Sequence, residues 1–347
     1  MTAAPRKGNR ARPAPTLEEV AARAGVSRAT ASRVLRGDAK ASDRAREAVL
    51  AAAREISYVP NLAARSLVTG RSETVAFLVE ESEERMFADP FFLGMLRSAQ
   101  EAVAVAGLQL VFTVMNGPED QERFLAYAAG GHVDGVLLLS LHGRDQLPQR
   151  LESLGVPTVL SGRPLSGGRR LWYVDADNVG GAELATRHLL ESGRENVATV
   201  AGPLDMCAGL DRLAGYRSAV EAAGLGYDES LVEVGDFTPA GGHDAAVRLL
   251  DRRPDVDAIF AASDLAAIGV VRALRERGRT VGDDVAVIGF DDIPAAADQQ
   301  PPLSTVKQPI GALGTAMTRL LLDRIEGRSG LARRTVLPVE LVLRASA

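Results

Sequence analysis

The sequence predicts a small all-α unit at the N-terminus, a short helical linker, and an α/β body of two doubly wound parallel sheets in tandem. Three observations carry that prediction. Residues 16–57 hold apolar positions at helical spacing. From residue 74 onward, near-continuous apolar runs of strand length alternate with helical segments, the pattern of parallel strands covered on both faces. Charge divides at the same place: residues 1–71 carry fourteen Lys and Arg against six Asp and Glu, a net of +8, while residues 72–347 carry −13 within a total of −5. A basic unit on an acidic body is the electrostatic footprint of an anchored nucleic-acid-binding head, although a solvated basic tail alone would account for Arg6, Lys7, Arg10 and Arg12.

Residues 1–15, MTAAPRKGNRARPAP, are basic without an apolar stretch, so they are expected to be a disordered arm and not a secretory signal. The first helix follows. Leu17, Val20, Ala21 and Ala24 stand at i, i+3, i+4 and i+7 and make one apolar stripe. Gly25 is the residue best able to take the positive φ that ends a helix and turns the chain. Ser27 then caps a second helix, in which Ala31, Val34 and Leu35 point one way and Arg28, Ala29, Ser32 and Arg33 the other. That arrangement is a helix-turn-helix, whose second helix enters the major groove of DNA. Taken alone, the segment also suits two amphipathic helices of any small bundle.

A third helix starts at Ser42, with Ala45, Ala48, Val49, Ala52 and Ile56 on one face to close a three-helix core. In the linker Pro60 favours an extended predecessor, and Asn61 caps a short helix to about Leu67. So short a helix is marginal alone and needs a second copy, or DNA, to hold it.

The body begins with strands at TVAFLV (Thr74 to Val79), LQLVFTV (Leu108 to Val114) and GVLLLS (Gly135 to Ser140). PTVLSG, NVATVAG, DAIFAAS and VAVIGFDD repeat the pattern after about residue 157, with helical segments such as GAELATRHLLESG between them. Two doubly wound units in tandem place ligands at the carboxyl ends of the strands, in the cleft between units.

The order TLEEVAARAGVSRATASRVL, YVPNLAARSL and a long α/β region resembles the LacI/GalR family of bacterial transcription regulators. Later landmarks agree: PFF at Pro90 to Phe92, VDGVLLLS at Val133 to Ser140, AGP at Ala201 to Pro203 and DRLAGY at Asp211 to Tyr216. SDLAAIG at Ser263 to Gly269, IGFDD at Ile288 to Asp292 and LSTVKQP at Leu303 to Pro309 complete the series. The resemblance implies a helix-turn-helix domain at 16–57, a hinge helix and linker at 58–71, and a periplasmic-binding-protein-like core of two subdomains at 72–347. It implies a homodimer on near-palindromic operator DNA, acting most often as a repressor, with an effector in the cleft switching operator affinity. The effector class is a sugar or sugar derivative, with a nucleobase or other small metabolite as the alternative; no cofactor, metal or membrane partner is implied.

Physical roles follow for the head. The Thr16 and Ser27 hydroxyls, with helix N-terminal amides, hold phosphates, as does Ser42. Arg28 and Ala29 open the recognition helix toward base edges, where Arg28 can read guanine bidentately; Arg33 is a second base reader. Thr30 and Ser32 touch the backbone or a thymine methyl. Leu67 matches the family's hinge leucine, a wedge in the minor groove, supported by Asn61 and Ala64. For Thr16, Ser27, Arg28, Ala29, Thr30, Ser32 and Arg33 the alternative on the sequence alone is a solvated surface residue.

In the core, Arg212 resembles the arginine that reaches effector polar groups and Asp291 the carboxylate that accepts from effector hydroxyls. Phe92 and Phe237 sit where the family places rings over the ligand; Ser140, Ser263 and Gln308 are further candidates. The alternatives are that Arg212 and Asp291 pair with each other, that Phe92 is plain core, and that Ser140 is structural. Three departures bear on the ligand: Ser263 where many relatives carry Asn, Gly162 and Arg163 where some carry an acid, and the acidic EESEERMFADPFF segment, longer than typical. Trp172 either lies near the pocket or caps the subdomain boundary.

Rival classes fare worse. A periplasmic binding protein would need an export signal and lack the basic head. An enzyme finds no P-loop, HExxH, GxSxG or metal spacing among His132, His142, His188 and His243. The single cysteine, Cys207, excludes an internal disulfide and reads as a small buried hydrophobe. No run is long and apolar enough to span a bilayer, so a cytoplasmic protein is expected. No heptad follows LVLRASA, which favours a dimer over a coiled-coil tetramer.

Overall fold

A computed structural model describes residues 15–35, 41–59, 70–165 and 170–347. The N-terminal arm and the hinge residues Asn61, Ala64 and Leu67 lie outside the described residues. What is described falls into two compact units that divide between Ser72 and Glu73.

The N-terminal unit holds helices Leu17–Arg23, Arg28–Leu35 and Asp43–Glu55. Thr16 and Glu19 form a reciprocal capping box at the first helix. Gly25 takes φ +65°, which makes the turn. The Ser27 hydroxyl accepts from the Thr30 amide, and the Ser42 hydroxyl accepts from the Ala45 amide. Val20, Ala31 and Val49 are fully buried where the three helices meet, ringed by Ala21, Val34, Ala52 and Ala53.

The second unit contains two six-stranded sheets. The first has the order β2-β1-β3-β4-β5-β11, with β1 Thr74–Val79, β2 Gln109–Val114, β3 Gly135–Leu139, β4 Thr158–Ser161, β5 Trp172–Ala176 and β11 Arg334–Leu337. The second has the order β7-β6-β8-β9-β10-β12, with β6 Val197–Ala201, β7 Val232–Val234, β8 Ala258–Ala261, β9 Ala286–Asp291, β10 Ser304–Lys307 and β12 Glu340–Val342. All pairings are parallel except β10 with β12. Both central strand sets are buried, only Thr74 at the start of β1 being half-buried, as their mainly apolar runs require.

In each sheet the winding reverses between the first strand and the third, which opens a crevice at their carboxyl ends. The switch lies between β1 and β3 in one sheet and between β6 and β8 in the other. The chain crosses between the subdomains three times: from β5 into helix Asn178–Glu191, from β10 into helix Ile310–Ile325, and from β11 into β12. Helices Asn178–Glu191 and Cys207–Ala222 pack so closely that a Cβ on Gly215 would stand 2.3 Å from the Val179 carbonyl oxygen.

Trp172 does not reach the cleft. It lies half-buried on β5, with the Arg324 and Arg333 guanidinium groups 4.7 and 5.1 Å from its ring centroid.

Candidate functional site

The strand ends of both sheets face one cleft of about 840 Å³, its open mouth included. Phe92, Ser140, Arg212, Phe237, Ser263, Asp291 and Gln308 all line it. Three of them, Ser140, Phe237 and Asp291, take positive φ values of 59°, 65° and 118° just at or beyond strand ends. Side chains other than glycine are held in that region only where their surroundings insist on it, and such positions gather at binding sites.

Arg212, on helix Cys207–Ala222, is the centre of the polar floor and is 5% exposed. Its Nε donates to Asn178 Oδ1 at 2.9 Å and its Nη1 to the Ala262 carbonyl at 2.5 Å. Nη1 also stands 3.5 Å from Asp291 Oδ1, so the two do pair across the floor. The guanidinium lies 3.7 Å from the Phe290 ring centroid and 5.5 Å from that of Phe237. Gln308 Nε2 donates to Asp291 Oδ1 at 2.5 Å, which leaves the other carboxylate oxygen for a guest. The Ser263 hydroxyl is committed to capping its helix: it accepts from the Ala266 amide at 3.1 Å and donates to the Phe237 carbonyl at 3.3 Å. Phe92 is 2% exposed and packs edge-on against Phe91, so it is at once core and cleft wall.

Buried acids surround the arginine. Burial pushes Asp291 up to about 7, against the pull of Arg212, and Asp89 nearby adds to the rise. Burial likewise pushes Asp175 up to about 6 and raises Asp89 and Asp264. Burial pulls Arg212 down, while Asp291, Asp175, Asp264 and Asp89 pull it back up. A cleft floored this way holds charges that a polyhydroxylated guest can solvate with its own O–H groups once water is displaced.

Sequence reasoning missed Arg85, Asp89, Asp175 and Asn178, all of which line the cleft. Asp89 had a local signal: it precedes Pro90 and caps helix Pro90–Val105 through the Phe91 amide. Arg85 belongs to the acidic segment read as longer than typical, which forms the short helix Glu83–Ala88. Cys207 is buried and lines the cleft, its thiol pushed up to about 11 by burial, so it acts as a small hydrophobe.

On the head, Arg28, Ala29 and Arg33 are exposed along one face of helix Arg28–Leu35, with Thr30 and Ser32 partly covered beside them. Arg28 Nε lies 2.6 Å from Glu18 Oε1, a pair exposed enough to exchange for phosphate or a base at little cost. Thr16, Ser27 and Ser42 stand at helix N-termini, where caps and free amides favour anions.

Residues 16–61 match the model of bacterial regulatory proteins of the lacI family, and residues 186–347 match the periplasmic binding protein-like domain. The chain is 50% identical to the HTH-type transcriptional regulator CelR of Thermobifida fusca, over 96% of this chain and 98% of that one. The chain belongs to the lacI family of bacterial regulatory proteins. It is also 34% identical to the ribose operon repressor of Escherichia coli (strain K12), over 96% of this chain and 99% of that repressor. Among solved structures, a transcriptional regulator CelR–cellobiose complex superposes with TM-score 0.78 at 48% identity, covering 96% of this chain and 100% of that one. The lac repressor dimer bound to operator and the anti-inducer ONPF gives TM-score 0.84 at 26% identity, over 96% of this chain and 99% of that one. The lacI-family architecture of a helix-turn-helix head on a two-subdomain α/β core is therefore this chain's architecture. Among the described residues no three or more His, Cys, Asp or Glu gather as metal ligands, and no helix is long and apolar enough to cross a membrane.

Proposed function

We infer that this chain is a DNA-binding repressor whose operator affinity is set by a small carbohydrate, a β-linked glucose disaccharide of the cellobiose type, held in the core cleft. The observation that carries the reading is the cleft floor: buried Arg212 and Asp291 in a cleft that the Phe92 and Phe237 rings also line. Rings cover the apolar faces of a sugar, and the charged pair takes its hydroxyls. The likeness to CelR, solved with cellobiose, supports that choice of sugar.

In this reading the domains run 16–57, 58–71 and 72–347. Arg28, Ala29 and Arg33 meet base edges, while Thr16, Ser27, Thr30, Ser32 and Ser42 hold phosphates. Asn61, Ala64 and Leu67 form a hinge helix that wedges the minor groove when two copies meet on a near-palindromic site. The ligand shifts DNA affinity only through its unequal affinity for the two core states. No reaction is catalysed, and the protein acts in the cytoplasm.

The test is calorimetry of the full chain with cellobiose, glucose and ribose, followed by operator-fragment binding with and without the sugar that binds. Tight binding of cellobiose alone, with a change of at least about tenfold in DNA affinity, supports the reading. Binding of ribose with no response to cellobiose overturns the choice of sugar. Absence of any sequence-selective DNA binding, with or without sugar, overturns the role.

A further inference from the structure

Outside the sugar floor, one ionic cluster joins the two subdomains across the mouth of the cleft. Glu81 follows β1, and its side chain is 7% exposed. A single oxygen of it, Oε1, receives Arg85 Nη1 at 2.5 Å, the Ser140 hydroxyl at 2.5 Å and His142 Nε2 at 3.0 Å. The opposite ring nitrogen, His142 Nδ1, lies 2.9 Å from Asp205 Oδ2. Asp205 sits beyond β6, in the other subdomain, and its carbonyl accepts the Gly143 amide at 2.7 Å. Both ring nitrogens thus face carboxylate oxygens. Only the imidazolium, with two N–H donors, satisfies both.

We propose that His142 is a latch for cleft closure: a charged clasp, anchored on Glu81, that holds the Asp205 loop of the opposite subdomain. Its link to the ligand rests on the cleft being the effector site. Arg85, which shares the anchoring oxygen, lines the cleft and stands 5.3 Å from the Phe237 ring centroid. A guest that engages Arg85 therefore acts on the same carboxylate that fixes the latch. His142 is a positioning residue and touches no guest in this scheme.

Closure is then sensitive to pH. The hydrogen bond with Glu81, and with it that to Asp205, raises His142 to about 9 against the effect of burial. The latch is complete below the ordinary histidine pKa near 6.5 and is lost as pH rises through about 9. The groups that face the ring are Glu81 and Arg85 from the β1 end, Asp205 from the β6 end, and Glu80, itself bonded to Asp145 and Gln121. Glu80, raised by burial to about 8, gains charge in the same window. That charge favours the imidazolium, so it opposes the loss, and Glu80→Gln removes it from the comparison.

The experiment is hydrogen exchange of the peptide spanning Gly143 in the full chain without sugar, corrected for intrinsic rates, between pH 6 and 10. His142→Ala should raise its exchange about tenfold at pH 7, the factor for one charge-assisted hydrogen bond. His142→Gln, which keeps a donor but no charge, should fall between, and guards against simple misfolding. Wild type and Glu80→Gln should approach the Ala level above pH 9, while the Ala variant stays flat. Equal protection in wild type and both His142 variants, or a common pH profile, overturns the latch. Cellobiose binding is measured separately: wild type that fails to bind it while the latch behaves as stated overturns the sugar assignment and leaves the latch standing.

Discussion

Replacing Asp291 by Asn separates the two roles that its position allows. The residue is 7% exposed, and burial lifts it from an ordinary 3.8 to about 7. Between those values the native state binds more protons than the unfolded one, so stability falls as pH rises through the window. The slope is about 1.4 kcal/mol per pH unit, and the full window is worth at most about 4 kcal/mol. Asn removes that slope. At pH 3, where the carboxyl is protonated in both the folded and the unfolded state, the variant and wild type should agree within about 1 kcal/mol. At pH 8 the variant should be the more stable by about 1–4 kcal/mol, because Asp175, Asp264 and Asp89 still balance Arg212. Cellobiose affinity should fall about tenfold to a hundredfold, the loss of one charged acceptor. Urea unfolding at the two pH values and calorimetry at pH 8 read both effects. A variant less stable by more than about 2 kcal/mol at pH 8, with affinity unchanged, would mean that Asp291 serves only as the counter-ion of Arg212.

Gly215→Ala should cost about 2–4 kcal/mol in urea unfolding of the core, because its Cβ would meet the Val179 carbonyl and the Ala182 side chain between two packed helices. Gly25→Ala, at φ +65° with open space around it, should cost the head only about 1 kcal/mol, seen as a small shift in its melting. Arg28→Ala should weaken operator binding by about 1–3 kcal/mol and relax preference at one base position in a binding-site selection. Leu67→Ala should weaken specific binding far more than nonspecific binding; equal loss on both in a filter-binding titration counts against the wedge.

The strands that show plainly in the sequence are those buried on both faces. TVAFLV, GVLLLS and NVATVAG are mainly apolar because β1, β3 and β6 are covered on both faces, and the buried Thr199 of β6 is tolerated because its hydroxyl donates to the Phe260 carbonyl. Edge and crossover strands read poorly: β7, β11 and β12 are short and keep exposed positions, so their residues alternate weakly or not at all. In the site, strand ends and family landmarks located seven cleft residues. Arg85, Asp175 and Asn178 escaped because their positions depend on a short helix folding back and on β5 running into a crossover. Distances along the chain do not encode those juxtapositions. The latch is a sharper case, for Glu81, His142 and Asp205 lie on three loops of two subdomains and share no local pattern.

The triple crossing of the chain between subdomains bears on how the protein is made. The first sheet is finished only when β11 arrives, and one of its faces waits for helix Ile310–Ile325. The second sheet waits for β12. During synthesis neither half can complete its layers until β11 and β12 leave the ribosome, so an early, premature half-fold with a working cleft is not available to the nascent chain. A stop anywhere before β10 would strip both sheets of an edge at once, and the cell's proteases should clear such fragments before they can occupy DNA through the head alone.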